Sequence, residues 1–384
     1  MFRPVQFNLM ENKVRYFDEI NILRAFAILA VISIHVSANF THMDTINGLA
    51  ALYMSIDVLS HFAVPLFIVI SGFVLYNKYS DDIDIKRFYR KRLKSVLPQY
   101  LIFSTFYLAA PYIGSIVLAR PVNLDILHII YRYLTGGCFY HLWFFVLIIQ
   151  LYLLYPAILR LYNYCEVRGR ILELLFAVYL IGVLYNVYPI PDIFILGAST
   201  QILGVATKFI GYVFYLVLGM TIRRRYDELL LKSVPKSSLY YASIPLLCCT
   251  IIGIFGYAQS YFNFDITQIL PVMGGYWHWL TAVIDPLYYV VIFAFSFYIS
   301  LNIVSSRSAA LKLLEKIGAY SFGIYLIHAF ILYIIVLTFP RFGFDWNNWL
   351  FYPLICIITL VLSYLSVEVL QKFPYSEYLI GSTK

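Results

Sequence analysis

Residues 20–40 read INILRAFAILAVISIHVSANF, an apolar run long enough to cross a bilayer as one helix, yet it carries Arg24 near its start and His35 deep inside. A helix advances about 100° and 1.5 Å per residue, so eleven residues make about three turns plus 20° and roughly 16 Å of rise. Arg24 and His35 therefore share one face, one above the other. Ionisable groups inside a membrane helix are costly and mark a site or a pathway, so this face is expected to border a passage rather than lipid.

The rest of the chain agrees with a membrane setting. Apolar residues make up 62% of the sequence, only 12% is charged, and the mean hydropathy is +0.79. Too little polar surface exists to cover a soluble fold of this length, so the expected class is all-α, a polytopic membrane helix bundle. Apolar runs mark about ten transmembrane helices, roughly at residues 20–40, 49–76, 97–119, 141–163, 171–189, 205–222, 239–258, 280–304, 318–338 and 348–371. The second is long and holds Pro65, which predicts a kink or break because proline removes a helix hydrogen bond. Residues 1–384 read as a single domain: a cytoplasmic segment 1–19, a transmembrane core 20–371 and a cytoplasmic tail 372–384. With both termini cytoplasmic, all Lys and Arg except Arg120, Arg132, Lys208 and Arg341 fall on the inner side, and the opposite orientation inverts that bias.

This distribution explains the net charge of +8 without nucleic acid, since the excess sits in membrane-flanking loops. Five cysteines, Cys138, Cys165, Cys248, Cys249 and Cys356, show no CxxC spacing and read as buried thiols. No cleavable signal peptide is visible, because the first apolar run is too long for one. No His or acidic cluster has the spacing of a metal site. Residues 123–140 and 261–280 are aromatic and partly amphipathic, as interfacial or re-entrant segments are.

Several residues are candidates for chemistry, each with a plainer alternative. Arg24 is either a topogenic anchor or the holder of an anionic head. His35 is either a satisfied core imidazole or a general base, poised to exchange a proton near neutral pH. An anionic ligand with a thin tail suits both, its head at Arg24 and its tail running up to His35. The loop KYSDDIDIKRFYRKRLK holds Lys86, Arg87, Arg90, Lys91, Arg92 and Lys94 on the same side as Arg24. It either sets topology and meets anionic lipid or binds a ligand with several phosphates.

In VPLFIVISGF, Ser71–Gly72 reads first as close helix packing; no G-x-S-x-G elbow makes Ser71 a nucleophile. In YHLWFF, His141 and Trp143 belong to an aromatic belt or line a sugar site. In SFGIYLIH, Ser321, Tyr325 and His328 follow at i, i+4 and i+7, a polar stripe that must face other helices or a cavity. Asp285, before Pro286, either orients a histidine or caps a helix.

Taken in order, Arg24-x10-His35, VPLFIVISGF, the basic FYRKRLKSVLPQY, YHLWF and SFGIYLIH resemble the integral membrane acyltransferase family 3, which modifies surface glycans. The VPLF variant and the closing KFP…LIG look most like its O-acetyltransferase branch. The resemblance implies a plasma-membrane enzyme that takes acyl-CoA from the cytoplasm and needs no permanently bound cofactor. Its acceptor would be a surface or lipid-linked glycan. Arg24 and His35 match the family's essential arginine and histidine, and the basic loop matches the cluster that meets CoA phosphates. His35 would take the proton of the glycan hydroxyl, with Ser71 or Tyr325 as candidate oxyanion donors. Two positions depart from the pattern: Asn21 stands where an aspartate is usual, and Gln371 where a glutamate is usual. A transporter or flippase for a lipid-linked glycan also accounts for buried polar groups, but predicts paired discontinuous helices and repeat symmetry. A sensor or scaffold would require a signalling domain that the sequence does not display.

Overall fold

The computed structural model of the chain describes residues 17–80, 83–117, 125–188, 193–195, 198–200, 202–231, 236–263, 276–306, 309–343 and 347–381. The expected cytoplasmic segment 1–19 and the outer segment 261–280 lie mostly outside them. The elements in order are α1 (Asp18–Ser37), α2 (Gly48–Ser60), α3 (Ala63–Tyr79), α4 (Ile85–Lys94), α5 (Leu97–Val117), α6 (Ile126–Thr135), α7 (Trp143–Val167) and α8 (Ile171–Val187). A two-stranded antiparallel ribbon follows, β1 (Ile193–Ile195) and β2 (Ala198–Thr200). Then come α9 (Ile202–Thr207), α10 (Val213–Arg224), α11 (Tyr226–Leu231), α12 (Lys236–Phe262), α13 (Trp277–Ser306), α14 (Ala309–Thr338), α15 (Phe351–Leu370) and α16 (Glu377–Ile380).

Among the described residues, eight helical stretches are long and apolar enough to cross a membrane. Two shorter apolar helices, Ile171–Val187 and Leu246–Phe262, fall where the other two spans are expected. The protein is thus a polytopic helical bundle, and the small ribbon does not alter that class.

α1 sits at the centre. Apart from the Arg24–His35 face its sequence is apolar all round, and a helix of that kind is enclosed by others. It packs against α2, α3, α13, α14 and α15 and is the most enclosed of the spans. Glycines bring two neighbouring pairs of helices into backbone contact. A Cβ on Gly72 of α3 would fall 2.1 Å from the Leu216 carbonyl oxygen, and one on Gly219 of α10 would fall 2.0 Å from that of Val69. Close packing is therefore the role of Gly72. The crossing of α1 and α14 is tighter: a Cβ on Gly318 would lie 1.8 Å from the Asn21 carbonyl oxygen.

The second span breaks, though not at the proline. α2 ends at Ser60, His61 and Phe62 form a turn, and α3 starts at Ala63. Pro65 then occupies the first turn of α3, where its missing N–H has no helical partner to lose. The break carries an ionisable pair, buried Asp57 and partly exposed His61. The cysteines are less enclosed than the sequence implies: all five are free thiols, only Cys138 is buried, and Cys248 lies on the outer surface of α12.

Candidate active site

Two cavities lie along α1: the inner beside its N-terminal half at Arg24 and the outer beside its C-terminal half at His35, the names following the orientation expected from the sequence. The inner cavity, of about 320 Å³, is lined by Arg24 of α1, Ser71 of α3, Arg92 of α4, Tyr152 of α7, and Ser321 and Tyr325 of α14. The outer cavity, of about 440 Å³, is lined by His35, His61, His141, Trp143, Tyr212, Asp285 and Tyr325 among others. Arg24 and His35 both face these spaces rather than lipid. Tyr325 borders both cavities, so the passage expected along α1 takes the form of two chambers with a shared aromatic wall.

In the inner cavity, Arg24 donates from Nη1 to the Asn21 Oδ1 at 3.0 Å. Asn21 is buried, and Gly318 presses on its backbone, which holds the arginine's base in place. Arg92 enters from the basic helix with its guanidinium 5.4 Å from the Tyr79 ring centroid and 5.8 Å from that of Tyr152. Its Nε is buried and has no hydrogen-bond partner among the described residues. A guanidinium on aromatic faces with a donor to spare is suited to an entering anion. Arg90, Lys91 and Lys94 share the helix but stay exposed outside the cavity, with the Lys94 ammonium 5.5 Å from the Tyr378 ring centroid. Ser71 lines the cavity while donating to the Phe67 carbonyl at 2.8 Å, one turn back.

The outer cavity is built around imidazoles. His35 stacks on His328 with ring centroids 5.4 Å apart, and Tyr140 meets it edge-on at 4.6 Å. His141 meets His328 edge-on at 5.3 Å. His328 Nδ1 lies 2.8 Å from the Tyr325 carbonyl oxygen and 3.2 Å from that of Ile324, so Nδ1 carries the hydrogen and Nε2 is the free acceptor. That Nε2, like both nitrogens of His141, is fully buried with no partner among the described residues. His328 lines neither cavity and backs His35 from behind. Tyr325 donates its hydroxyl to the His141 carbonyl, tying α14 to the turn before α7.

Local sequence sets that turn. α6 is capped by Asp125, which accepts from Leu127 N at 3.0 Å, and it ends at Gly136 with φ +76°. A Cβ on Gly136 would lie 2.5 Å from the Trp143 Cα, so glycine alone lets the chain fold back and bury His141. Trp143 faces the cavity, and the Lys208 ammonium sits 3.8 Å from its ring centroid. Asp285 lies well inside α13, which removes the helix-cap alternative and leaves its carboxylate on the cavity wall.

The sequence reading missed Asp57 and His61. Buried Asp57 accepts from Ser37 at 3.0 Å; His61 Nδ1 donates to the Asp57 backbone carbonyl at 2.7 Å with the carboxylate at 3.4 Å, while Tyr257 bonds His61 Nε2 at 3.2 Å. The available signal was an Asp and a His at i, i+4 inside an apolar run, the criterion that singled out Arg24 and His35.

Fold and cavities together define an integral membrane protein whose guanidinium and imidazole groups line two cavities within the helix bundle. The chain belongs to the membrane acyltransferase family 3: the model of that acyltransferase domain matches residues 17–368. It is also similar to the acyltransferase MdmB of Streptomyces mycarofaciens, 36% identical over 99 residues. That alignment spans 26% of this chain and 24% of the relative, so the chain covers about a quarter of the relative's length. No solved structure matches. Membership in that family supports a membrane acyltransferase over a transporter.

Proposed function

We propose that the protein moves an acyl group, acetyl in the simplest case, from cytoplasmic acyl-CoA to a hydroxyl of an extracytoplasmic glycan or lipid-linked glycan. The observation that carries this is the pair of chambers meeting at Tyr325, one lined by guanidinium groups and the other by imidazole. The orientation has both termini in the cytoplasm of a plasma-membrane protein. Acyl-CoA then enters the inner cavity with its phosphates at Arg24 and Arg92, while Arg90, Lys91 and Lys94 attract it from the rim. The pantetheine arm passes Tyr325 to bring the thioester beneath His35.

The acceptor hydroxyl enters from the other side. His35 takes its proton as the oxygen attacks the thioester carbonyl. The tetrahedral intermediate collapses, the carbon–sulfur bond breaks, and the CoA thiolate leaves with the proton returned by His35. Stacking on His328 and edge contact with Tyr140 hold the His35 ring in one orientation. The developing oxyanion needs a donor. Both Ser71 and Tyr325 already donate to carbonyls and would have to exchange that partner. Trp143 and His141 form the wall on which an acceptor sugar would pack.

The test is mass spectrometry of surface glycans from cells with and without the protein. A mass increment of one acyl group that disappears with the protein supports the proposal, and identical glycans refute it.

A further inference from the structure

A third chamber adjoins the outer cavity. It measures about 370 Å³, lies between α2, α12 and α13, and shares His61, Thr281, Asp285 and Tyr289 with the His35 cavity. That size is within the roughly 300–1,000 Å³ of small-ligand sites. We propose that this chamber is a further acceptor subsite beside the Trp143 wall, in which a sugar residue packs against the rings of α12 and hydrogen-bonds to His61 and Asp285. This rests on the acyl-transfer reading above and extends it to the acceptor side.

The chemistry of the lining selects the ligand class. Val58 is the one aliphatic side chain among the lining residues; the others carry hydroxyl, imidazole, carboxylate, thiol or glycine backbone. The contrast is a groove of about 600 Å³ between α5 and α15 lined by Ile102, Phe103, Phe106, Leu362 and similar side chains, which fits acyl chains and not sugars. In the chamber, Tyr257 and Tyr261 stand 5.9 Å apart at 36°, both backed by Phe40 at 5.2 and 5.5 Å. Such a fixed pair of rings offers flat apolar faces to a pyranose. Gly253 and Gly256 lie one turn apart beside them, and Gly253 lets α12 close on Val58 of α2, where a Cβ would fall 2.6 Å from the valine Cγ1.

The polar partners are fixed in advance. The Asp57 carboxylate is held by Ser37, the Asp57 backbone carbonyl lies 2.7 Å from His61 Nδ1 and orients that ring, and the other ring nitrogen meets the Tyr257 hydroxyl. Because His61 and Asp285 border both spaces, a sugar bound here has a neighbouring hydroxyl directed toward His35. His61 and Asp57 are therefore positioning residues that choose which hydroxyl is acylated.

Cys249 lines the chamber and supplies a native probe. The wild-type protein is modified with a small maleimide, with and without unacylated glycan extracted from cells lacking the protein, and Cys249 is followed by peptide mass spectrometry. The glycan is expected to slow Cys249 modification about fivefold or more and to leave Cys165, at the far end of α7, unaffected. Equal rates at a glycan concentration that supports CoA release would overturn the proposal, as would a Cys249 that never reacts. A Ser260→Trp variant, which fills the chamber, is expected to raise the KM for glycan about tenfold, the loss of roughly 1.4 kcal/mol of binding, with the KM for acetyl-CoA little changed. An unchanged glycan KM would also overturn it. Absence of CoA release by the wild-type protein sinks the acyl-transfer reading instead, so the two failures are distinguishable.

Discussion

Arg92 offers the sharpest test of donor binding, because the structure separates it from its neighbours in the basic helix. Its guanidinium reaches the inner cavity beside Arg24, between the rings of Tyr79 and Tyr152, with Nε unpartnered among the described residues. Arg90 and Lys91 are exposed outside it. A charge-assisted hydrogen bond contributes about 1.5–3 kcal/mol, so Arg92→Ala should raise the KM for acetyl-CoA about 10- to 150-fold. Arg92→Lys keeps the charge but loses the fork and the ring stacking, and should recover only part of that loss. Arg90→Ala and Lys91→Ala lose exposed contacts of about 0.2–1 kcal/mol and should change the KM less than about fivefold. The assay is release of free CoA by purified protein in detergent, as a function of acetyl-CoA at fixed glycan and fixed salt. Equal effects from all three alanine variants would mean that the helix acts through its net charge and that the cavity is not the donor site. A fall in kcat alone for Arg92→Ala would refute the argument equally.

Three further outcomes follow from the geometry. His35→Ala should lower acyl transfer by about 10²–10⁴-fold, the usual contribution of a general base, while size-exclusion profile and thermal midpoint stay near wild type; an active variant would remove His35 from the reaction. His328→Phe keeps a ring against His35 but deletes the free Nε2. It should lower kcat without raising the KM for acetyl-CoA, and an unchanged kcat would show that His328 only fills space. Gly318→Ala forces a Cβ to within 1.8 Å of the Asn21 carbonyl and should cost about 1–3 kcal/mol as α1 and α14 are pushed apart. Thermal unfolding in detergent measures it, with Gly48→Ala as the control because open space surrounds that position.

The helical bundle and its spans were legible in the sequence. Lipid provides no partner for a backbone amide, so long apolar runs have to be helices, and their boundaries follow from length and charge. The inward-facing sides of α1 and α14 were legible for the same reason: Arg24, His35, Ser321, Tyr325 and His328 are too costly to leave in hydrocarbon. Helical periodicity also placed Arg24 and His35 on one face.

Only the tertiary structure decided how those faces meet. That Arg92 alone of four adjacent cations enters the cavity depends on how α4 docks against α3 and α7, which no charge pattern encodes. That His35, His141 and His328 form one cluster depends on the α1–α14 crossing at Gly318 and on the turn at Gly136, contacts between residues far apart in the chain. The break before Pro65 placed His61, bonded to the Asp57 carbonyl, beside the same cavity. Local sequence dictates which groups must avoid lipid; long-range packing selects which of them become neighbours, because helices of similar apolar surface are discriminated by where small residues let their backbones touch.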